Sequence, residues 1–335
     1  MAGAIAVNLM KGPWMRVVVT GGGGYIGGVA VELLSRRGDD VVVLDNFWRG
    51  HRASITAGTR ILEVDLRDKD ATLRALTEAR PDAVLHFAAA TLVPESMRDP
   101  GLYYANNVVA SHHLLEAMRS TGVEKLVFSS TAAVYGVPEQ LPLAESAPKR
   151  PINPYGISKY MVEQMIESYG AAYGLRHASL RYFNVAGATQ EHGEQHDPET
   201  HVIPVMLRTL RGEQERFAVY GTDYPTPDGT AVRDYVHVED LVDAHLLALA
   251  ALDRGIGGAF NLGTREGFSV NQLIDAVQRV TGRTLPVDVA PRRDGDPPAL
   301  VAESRRAREV LGWTPERSTL DQMIGSAWAW FTRAS

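Results

Sequence analysis

The sequence predicts an α/β protein, a doubly wound parallel sheet carrying a second, smaller α/β lobe. Two patterns carry this expectation. Short runs of β-branched and aliphatic residues alternate with helical segments through the first half of the chain, and the first run breaks into glycines before a helix. At 335 residues with 45% hydrophobic composition, the chain can also bury a core large enough to divide into two lobes.

The first strand is Arg16-Val17-Val18-Val19-Thr20, a continuous apolar run of the kind found inside parallel sheets. It opens into Gly21-Gly22-Gly23-Gly24-Tyr25-Ile26-Gly27-Gly28. Glycines there let the backbone turn tightly and approach a pyrophosphate without Cβ clashes, while the free N–H groups of the next helix face the negative charge. Two registers fit, Gly22, Gly24 and Gly27 as G-x-G-x-x-G, or Gly21, Gly24 and Gly27 as G-x-x-G-x-x-G. Ile26, Val29, Ala30, Leu33 and Leu34 give helical spacing, Gly38 stops the helix, and Val41-Val42-Val43-Leu44 forms a strand ending in Asp45. This βαβ unit reads as a dinucleotide grip. A carboxylate at the tip of its second strand accepts both adenosine ribose hydroxyls and repels a 2′-phosphate, so Asp45 points to NAD over NADP. Arg49 weakens that preference, because a nearby arginine accommodates the extra phosphate.

Ile61–Asp65 is a short third strand, Ala71–Glu78 a helix, and Ala83–Phe87 a fourth strand running into Ala88-Ala89-Ala90, whose small side chains let the backbone lie against a cofactor. His86, inside an apolar strand, reads as a satisfied core histidine. A helix around Asn107–Ser120 precedes Lys125-Leu126-Val127-Phe128, a buried strand that delivers Ser129-Ser130-Thr131 to its C-terminal end, where ligands bind in open sheets. Tyr155 and Lys159, four residues apart, share one helix face, so the ammonium approaches the phenol directly or through a cofactor ribose. A unit charge ~5 Å away at an effective dielectric of ~20 is worth about 3 kcal/mol, or roughly two pKa units, drawing the tyrosine from ~10 toward neutrality.

Composition excludes several classes. The net charge of −6, with no long basic run, gives no support to a nucleic acid or anionic membrane as partner. No apolar run is long enough to span a bilayer. Cysteine is absent, which removes disulfides, thiolate metal sites and cysteine nucleophiles and is compatible with a cytoplasmic location. Residues 1–14 carry only Lys11 as a charge and read as an N-terminal extension rather than a signal peptide.

These motifs occur together with Tyr103-Tyr104-Ala105-Asn106-Asn107-Val108, Asn153-Pro154-Tyr155-Gly156, Leu180-Arg181-Tyr182-Phe183-Asn184, Asp223–Thr230, Val232–Val238, Asn261-Leu262-Gly263 and Ala290-Pro291-Arg292-Arg293. From Met15 to about Trp330 the chain resembles the extended short-chain dehydrogenase/reductase family and, within it, the UDP-glucose 4-epimerases. The resemblance implies a Rossmann-type NAD-binding domain over residues 15–186, with a return segment near 236–252, and a mainly UDP-sugar-binding domain over 187–335. It assigns NAD to Gly21, Gly24, Tyr25, Ile26, Gly27, Asp45, Asn46, Asp65, Leu66, Phe87, Ala88, Ala89, Asn106, Ser129, Tyr155, Lys159 and Tyr182. The UDP-sugar falls to Thr131, Tyr155, Phe183, Asn184, His201, Val202, Ala218, Val219, Tyr220, Arg233, Tyr235, Arg293, Asp296 and Leu300. By the same resemblance Tyr155 is the acid/base for the sugar 4-hydroxyl, Lys159 lowers its pKa and holds the nicotinamide ribose, and Thr131 orients the hydroxyl, giving a 4-keto intermediate. Tyr220 would lie beneath uracil, Arg233 and Arg293 on the pyrophosphate, and Asp296 on the uridine ribose, while Leu300 would border the sugar's C2 substituent.

Thr91, Pro94 and Arg49 depart from the family pattern, but the catalytic set is intact. A 4-epimerase of another UDP-sugar is the alternative reading. A nucleotide-sugar dehydratase or decarboxylase is disfavoured, because Ala132-Ala133 stand where dehydration needs an acid and a base. A non-catalytic NAD sensor is disfavoured by the retained tyrosine, lysine and arginines. The polar stretch Ala188–His201, with His192, His196 and His201, reads as a solvated loop rather than a metal site. Leu114, Leu115 and Met118 on one helix, with Met161, Val162, Met165, Ile166 and Tyr169 on another, make apolar faces wider than one sheet contact needs, which suggests a helix-bundle homodimer.

Overall fold

A computed structural model describes residues 14–293 and 296–333; the expected N-terminal extension, apart from Trp14, lies outside the described residues. Seven parallel strands form the main sheet: β1 (Arg16–Thr20), β2 (Asp40–Asp45), β3 (Arg60–Glu63), β4 (Ala83–His86), β5 (Lys125–Thr131), β6 (Arg176–Tyr182) and β10 (Gly258–Leu262), in the order β10-β6-β5-β4-β1-β2-β3. The strand order reverses between β1 and β4, which opens a crevice at the C-terminal edge. Both sheet faces are covered, which is why β1 is an unbroken valine run: Val17 and Val19 pack into one cluster and Val18 into the opposite one. The first cluster includes residues of the helices Tyr25–Arg37 and Val238–Leu252, and the second draws on Lys69–Ala79, Ala110–Thr121 and Pro154–Tyr173.

The return to the main sheet runs further than expected. Beyond the Val238–Leu252 helix, β10 pairs in parallel with β6, so a whole strand outside 236–252 also belongs to this sheet. Around it the chain builds a second layer. Here β9 (Val232–His237) is flanked by β11 (Gly267–Ser269) and β13 (Ala299–Leu300) and also pairs with β7 (Asn184–Ala186), while β8 (Phe217–Tyr220) pairs with β12 (Val287–Ala290). Helices Val202–Leu210, Val270–Thr281 and Leu320–Phe331 close this layer over Met206, Leu207, Val277, Met323 and Ile324, all 0% exposed.

Of the apolar residues expected on a dimer face, Leu114, Leu115, Met118, Val162 and Ile166 are core of the single chain instead, each 2% exposed or less. Two helices crossing a sheet bury more of their girth than a single stripe when they also pack on each other. What reaches the surface is Met161, Val109 and Tyr173, with Met165 and Tyr169 partly covered.

One buried ion pair fastens the Pro154–Tyr173 helix to the sheet. Arg181 at the end of β6 donates from Nε to Glu163 Oε1 at 2.9 Å and from Nη2 to Oε2 at 2.6 Å, and Ser130 of β5 donates to the same carboxylate at 2.5 Å. Arg181 also reaches the Tyr135 hydroxyl at 3.0 Å, which in turn donates to Asn261 of β10 at 2.6 Å. Both ions are removed from water, so the pair persists only because nearly every donor and acceptor is matched. Removing one partner strands the other charge: Glu163→Ala is expected to lower the unfolding free energy by about 3–5 kcal/mol in a denaturant titration. Glu139→Ala, which breaks an exposed pair with Arg150, should fall within error.

Candidate active site

The C-terminal ends of β1, β2, β4, β5 and β6 converge on a cavity of about 900 Å³, lined at those ends by Gly21, Asp45, Phe87, Ser129, Thr131 and Tyr182. Its glycine wall is built for close approach. Gly21 has φ +73°, and a Cβ there would stand 2.6 Å from the Ala88 nitrogen; a Cβ on Gly27 would stand 2.1 Å from the Gly21 carbonyl. Gly24 caps the Tyr25–Arg37 helix without a side-chain bond, so the first-turn N–H groups are left to whatever occupies the cavity. These features fit a dinucleotide pyrophosphate, as expected for NAD. Asp45 anchors the loop, its Oδ2 accepting from Gly23 N at 2.9 Å and its Oδ1 from Phe47 N at 2.8 Å. Asp65 is held at a pKa of about 2, chiefly by the Arg67 guanidinium bonded to it, and accepts from Asn46 at 3.3 Å. All seventeen residues expected to hold NAD line this cavity.

Opposite the glycines lie Thr131, Tyr155 and Lys159. The Ala133 N–H donates to Thr131 Oγ1 at 3.1 Å, which leaves that hydroxyl's own proton unused by this bond. Burial raises the phenol's pKa, and the bond with Thr131 works against it. Lys159 donates to the Ser129 carbonyl at 2.9 Å, and burial pushes its pKa down to about 7, opposed by Glu163. Burial opposes the expected lowering of the phenol's pKa by Lys159, because it disfavours the charged form of both groups. The Lys159 ammonium bonds a backbone oxygen rather than the phenol. His86, between Thr20 Oγ1 at 2.7 Å and Ser111 Oγ at 2.8 Å, is held neutral by burial with a pKa of about 3, the core role expected of it.

On the far side, Phe183, Asn184, His201, Arg233, Arg293, Asp296 and Leu300 line the same cavity. Asn184 is fixed by donating to the Asp234 carbonyl at 3.0 Å, and Arg233 lies 3.4 Å from Asp296. Five expected substrate residues do not line the cavity, and strand geometry explains one of them, Val219. Successive side chains of β8 point to opposite faces, so Ala218, Val219 and Tyr220 cannot all face one ligand. Val219, 3% exposed, belongs to the second-layer core, as does Tyr235 at 4%, while Val202 packs partly against that core. Ala218 does not line the cavity, and Tyr220 stands beside it, stacked beneath the Arg293 guanidinium at 3.9 Å. The cavity also takes in Trp48, Leu92, Met97, Glu194, His196 and Thr200, which the sequence reading left out. Of these, His196 carried a signal, its place in a histidine-rich stretch.

That stretch is solvated only in part, with Gln190, Glu191, Gln195 and Asp197 exposed as expected and the rest of its first half buried. Thr189, His192 and Glu194 are under 9% exposed; Glu32, on the glycine-loop helix, accepts from Thr189 Oγ1 at 2.5 Å and lies 2.7 Å from His192 Nδ1. Gly193 packs where a Cβ would stand 2.3 Å from Trp330. Burial raises the Glu194 pKa, but the bond and charge of His196 outweigh it and hold the carboxyl below its ordinary range. Burial lowers the pKa of His201, and the carboxylates of Glu199 and Glu194 more than reverse this.

Known proteins agree with this architecture. A model of the NAD dependent epimerase/dehydratase family matches residues 17–263. The UDP-glucose 4-epimerases of Streptomyces lividans and Lacticaseibacillus casei are 50% and 47% identical to the chain, each over 94% of it and over 95% and 96% of their own lengths. The crystal structure of UDP-glucose 4-epimerase from Brucella ovis in complex with NAD matches with a TM-score of 0.91 at 44% identity, over 94% of this chain and 98% of that one. Agreement of sequence and fold over nearly the whole length shows that the chain belongs to the NAD-dependent epimerase/dehydratase family.

Proposed function

We propose that this protein interconverts UDP-glucose and UDP-galactose by NAD-dependent, reversible epimerisation at C4 through a 4-keto sugar. The observation that carries this reading is the meeting of Thr131, Tyr155 and Lys159 with the uncapped glycine helix and two arginines around one cavity. NAD, when bound, supplies a reversible hydride acceptor. The chain's own groups manage the proton and the position. Tyr155 holds the proton exchanged with the 4-hydroxyl, and Thr131, fixed by the Ala133 N–H and lining the same cavity, aligns the hydroxyl with the phenol. Lys159 keeps further N–H donors for a ribose after bonding Ser129. Arg233 and Arg293 suit a diphosphate because the guanidinium fork pairs with its oxygens, and Asp296 suits a ribose. Ala132-Ala133 after Thr131 offers no acid for dehydration. The absence of cysteine supports a cytoplasmic setting.

Sugar choice rests on Leu300. In β13 it pairs in register with Arg233 of β9 and packs against the cluster of Val134, Tyr135 and Leu143, beside Phe183. An acetamido group placed against that packed side chain lacks both room and hydrogen-bond partners. The proposal extends to a homodimer. Met161, Met165, Tyr169 and Tyr173 recur every four residues along one helix next to the exposed Val109, an apolar strip the single chain leaves partly uncovered.

Purified protein with UDP-galactose should form UDP-glucose, and Tyr155→Phe should fold normally yet turn over on the order of 10²- to 10⁴-fold more slowly. Near-parent turnover by that variant would refute the acid/base role. On UDP-N-acetylgalactosamine the parent should be about ten- to a hundredfold less specific than on UDP-galactose, and Leu300→Ser should narrow that ratio; an unchanged ratio removes Leu300 as the gate. Light scattering at micromolar concentration should report twice the chain mass, and a monomer would exclude the dimer.

A further inference from the structure

The stretch Glu194–His201 places two carboxylates and two imidazoles around one point. One donor atom from each of Glu194, His196, Glu199 and His201 lies within 4.8 Å of all the others. Four donors on a single ion at about 2 Å stand roughly 3–4 Å apart, so small rotations would close this set around a cation.

Among the described residues no lysine or arginine pairs with either carboxylate. The Glu194 and Glu199 side chains are 8% and 2% exposed, and among the described residues their only ion-pair partners are His196 and His201. Other buried carboxylates are treated differently: Glu163 has Arg181, Asp240 has Arg317 and Glu32 has Arg36. Arg208 comes near this stretch but donates to the His196 carbonyl and pairs with Glu213.

Hydrogen bonding leaves the same gap. The Gln195 and His196 N–H groups donate to Glu194 Oε1, and the Thr200 and His201 N–H groups donate to Glu199 Oε1, so each carboxylate is aimed by its own backbone through one oxygen. Glu199 Oε2 is buried without a hydrogen-bond partner, while His196 Nδ1 faces Glu194 Oε1 at 2.5 Å. A buried carboxylate oxygen left bare is costly, and a divalent cation would satisfy it and neutralise both charges together.

We propose that Glu194, His196, Glu199 and His201 form a binding site for one divalent transition-metal ion, with zinc the best match. Two imidazoles and two carboxylates suit zinc, whereas magnesium and calcium prefer all-oxygen sets. The ion would be a fastener. Glu194, His196 and His201 line the active-site cavity, His201 caps the Val202–Leu210 helix, and the Ser54 hydroxyl donates to Gln195 at 3.0 Å from the glycine side of the cavity. A metal here would lock the cavity wall facing the glycine loop.

The test uses tag-free, full-length protein stripped with a chelator and then desalted. Titration with zinc should load about one ion per chain and raise the unfolding temperature, with no comparable effect of magnesium. Cobalt(II) in place of zinc should give the intense visible bands of a four-coordinate ion, a readout that needs no variant. Glu199→Gln and His196→Ala, each folded by circular dichroism, should bind zinc at least about tenfold more weakly. The proposal is overturned if the stripped parent takes up no zinc or cobalt at micromolar concentration, if magnesium displaces the zinc, or if both folded variants bind it as the parent does.

Discussion

The Glu163–Arg181 pair is the constraint on which the active site depends. Glu163 lies one helical turn beyond Lys159, itself one turn beyond Tyr155, and Arg181 ends the strand next to the one that delivers Thr131. The doubled bond between them fixes both the rotation and the height of the Pro154–Tyr173 helix against the sheet. A slip of one residue would swing the phenol about 100° around the helix axis, away from Thr131. The Ser130 hydroxyl, on the same carboxylate, makes the register specific to the strand end that carries the other active-site hydroxyls. A surface ion pair would be too weak and too mobile for this, and burial supplies the stiffness.

A second fixture joins the two layers. Asp234, 0% exposed, accepts from Thr264 N and Oγ1, Arg265 N and Ala302 N between 2.8 and 3.1 Å. Its neighbour Arg233 faces the cavity, and the Asp234 backbone carbonyl holds Asn184, so one buried aspartate, through carboxylate and carbonyl together, bonds three segments far apart in sequence. Across the cavity, Tyr25 donates to the Gly187 carbonyl at 2.6 Å and Glu32 gathers Thr189 and His192. The helix that opens on the glycine loop thus also holds the segment leading into the substrate side.

What was legible in the sequence was what local chemistry decides. The valine run, the glycine turn, the Gly38 stop and the Tyr155/Lys159 spacing each depend on neighbours within a few residues, and each appears where expected. The misreadings share one cause, a partner distant in the chain. Tyr104–Val109 forms a π-helical turn where a regular helix was expected from Asn107, and Asn107 there bonds the Ala90 backbone at 2.7 and 3.0 Å and Ser158 at 3.0 Å. The polar composition of Ala188–His201 suggested solvent because Glu32, more than 150 residues earlier, could not be seen to wait for it. The surplus apolar helix faces looked external because no local pattern reveals that two helices share one sheet face.

The proton chemistry shows the same limit at the level of a single charge. Helical spacing puts a cation near the phenol, and Coulomb's law then lowers the phenol's pKa, provided the cation stays charged. Burial acts on both groups, disfavouring ammonium and phenolate alike. With Lys159 near 7 and the phenol raised, the protein groups leave Tyr155 protonated at neutral pH. For the proposed base role of Tyr155, a positive charge brought into the cavity would lower the phenol's pKa again. Lys159 donates to the Ser129 carbonyl and lies 4.9 Å from the Phe128 ring centre, contacts that favour its charged form against the burial that opposes it.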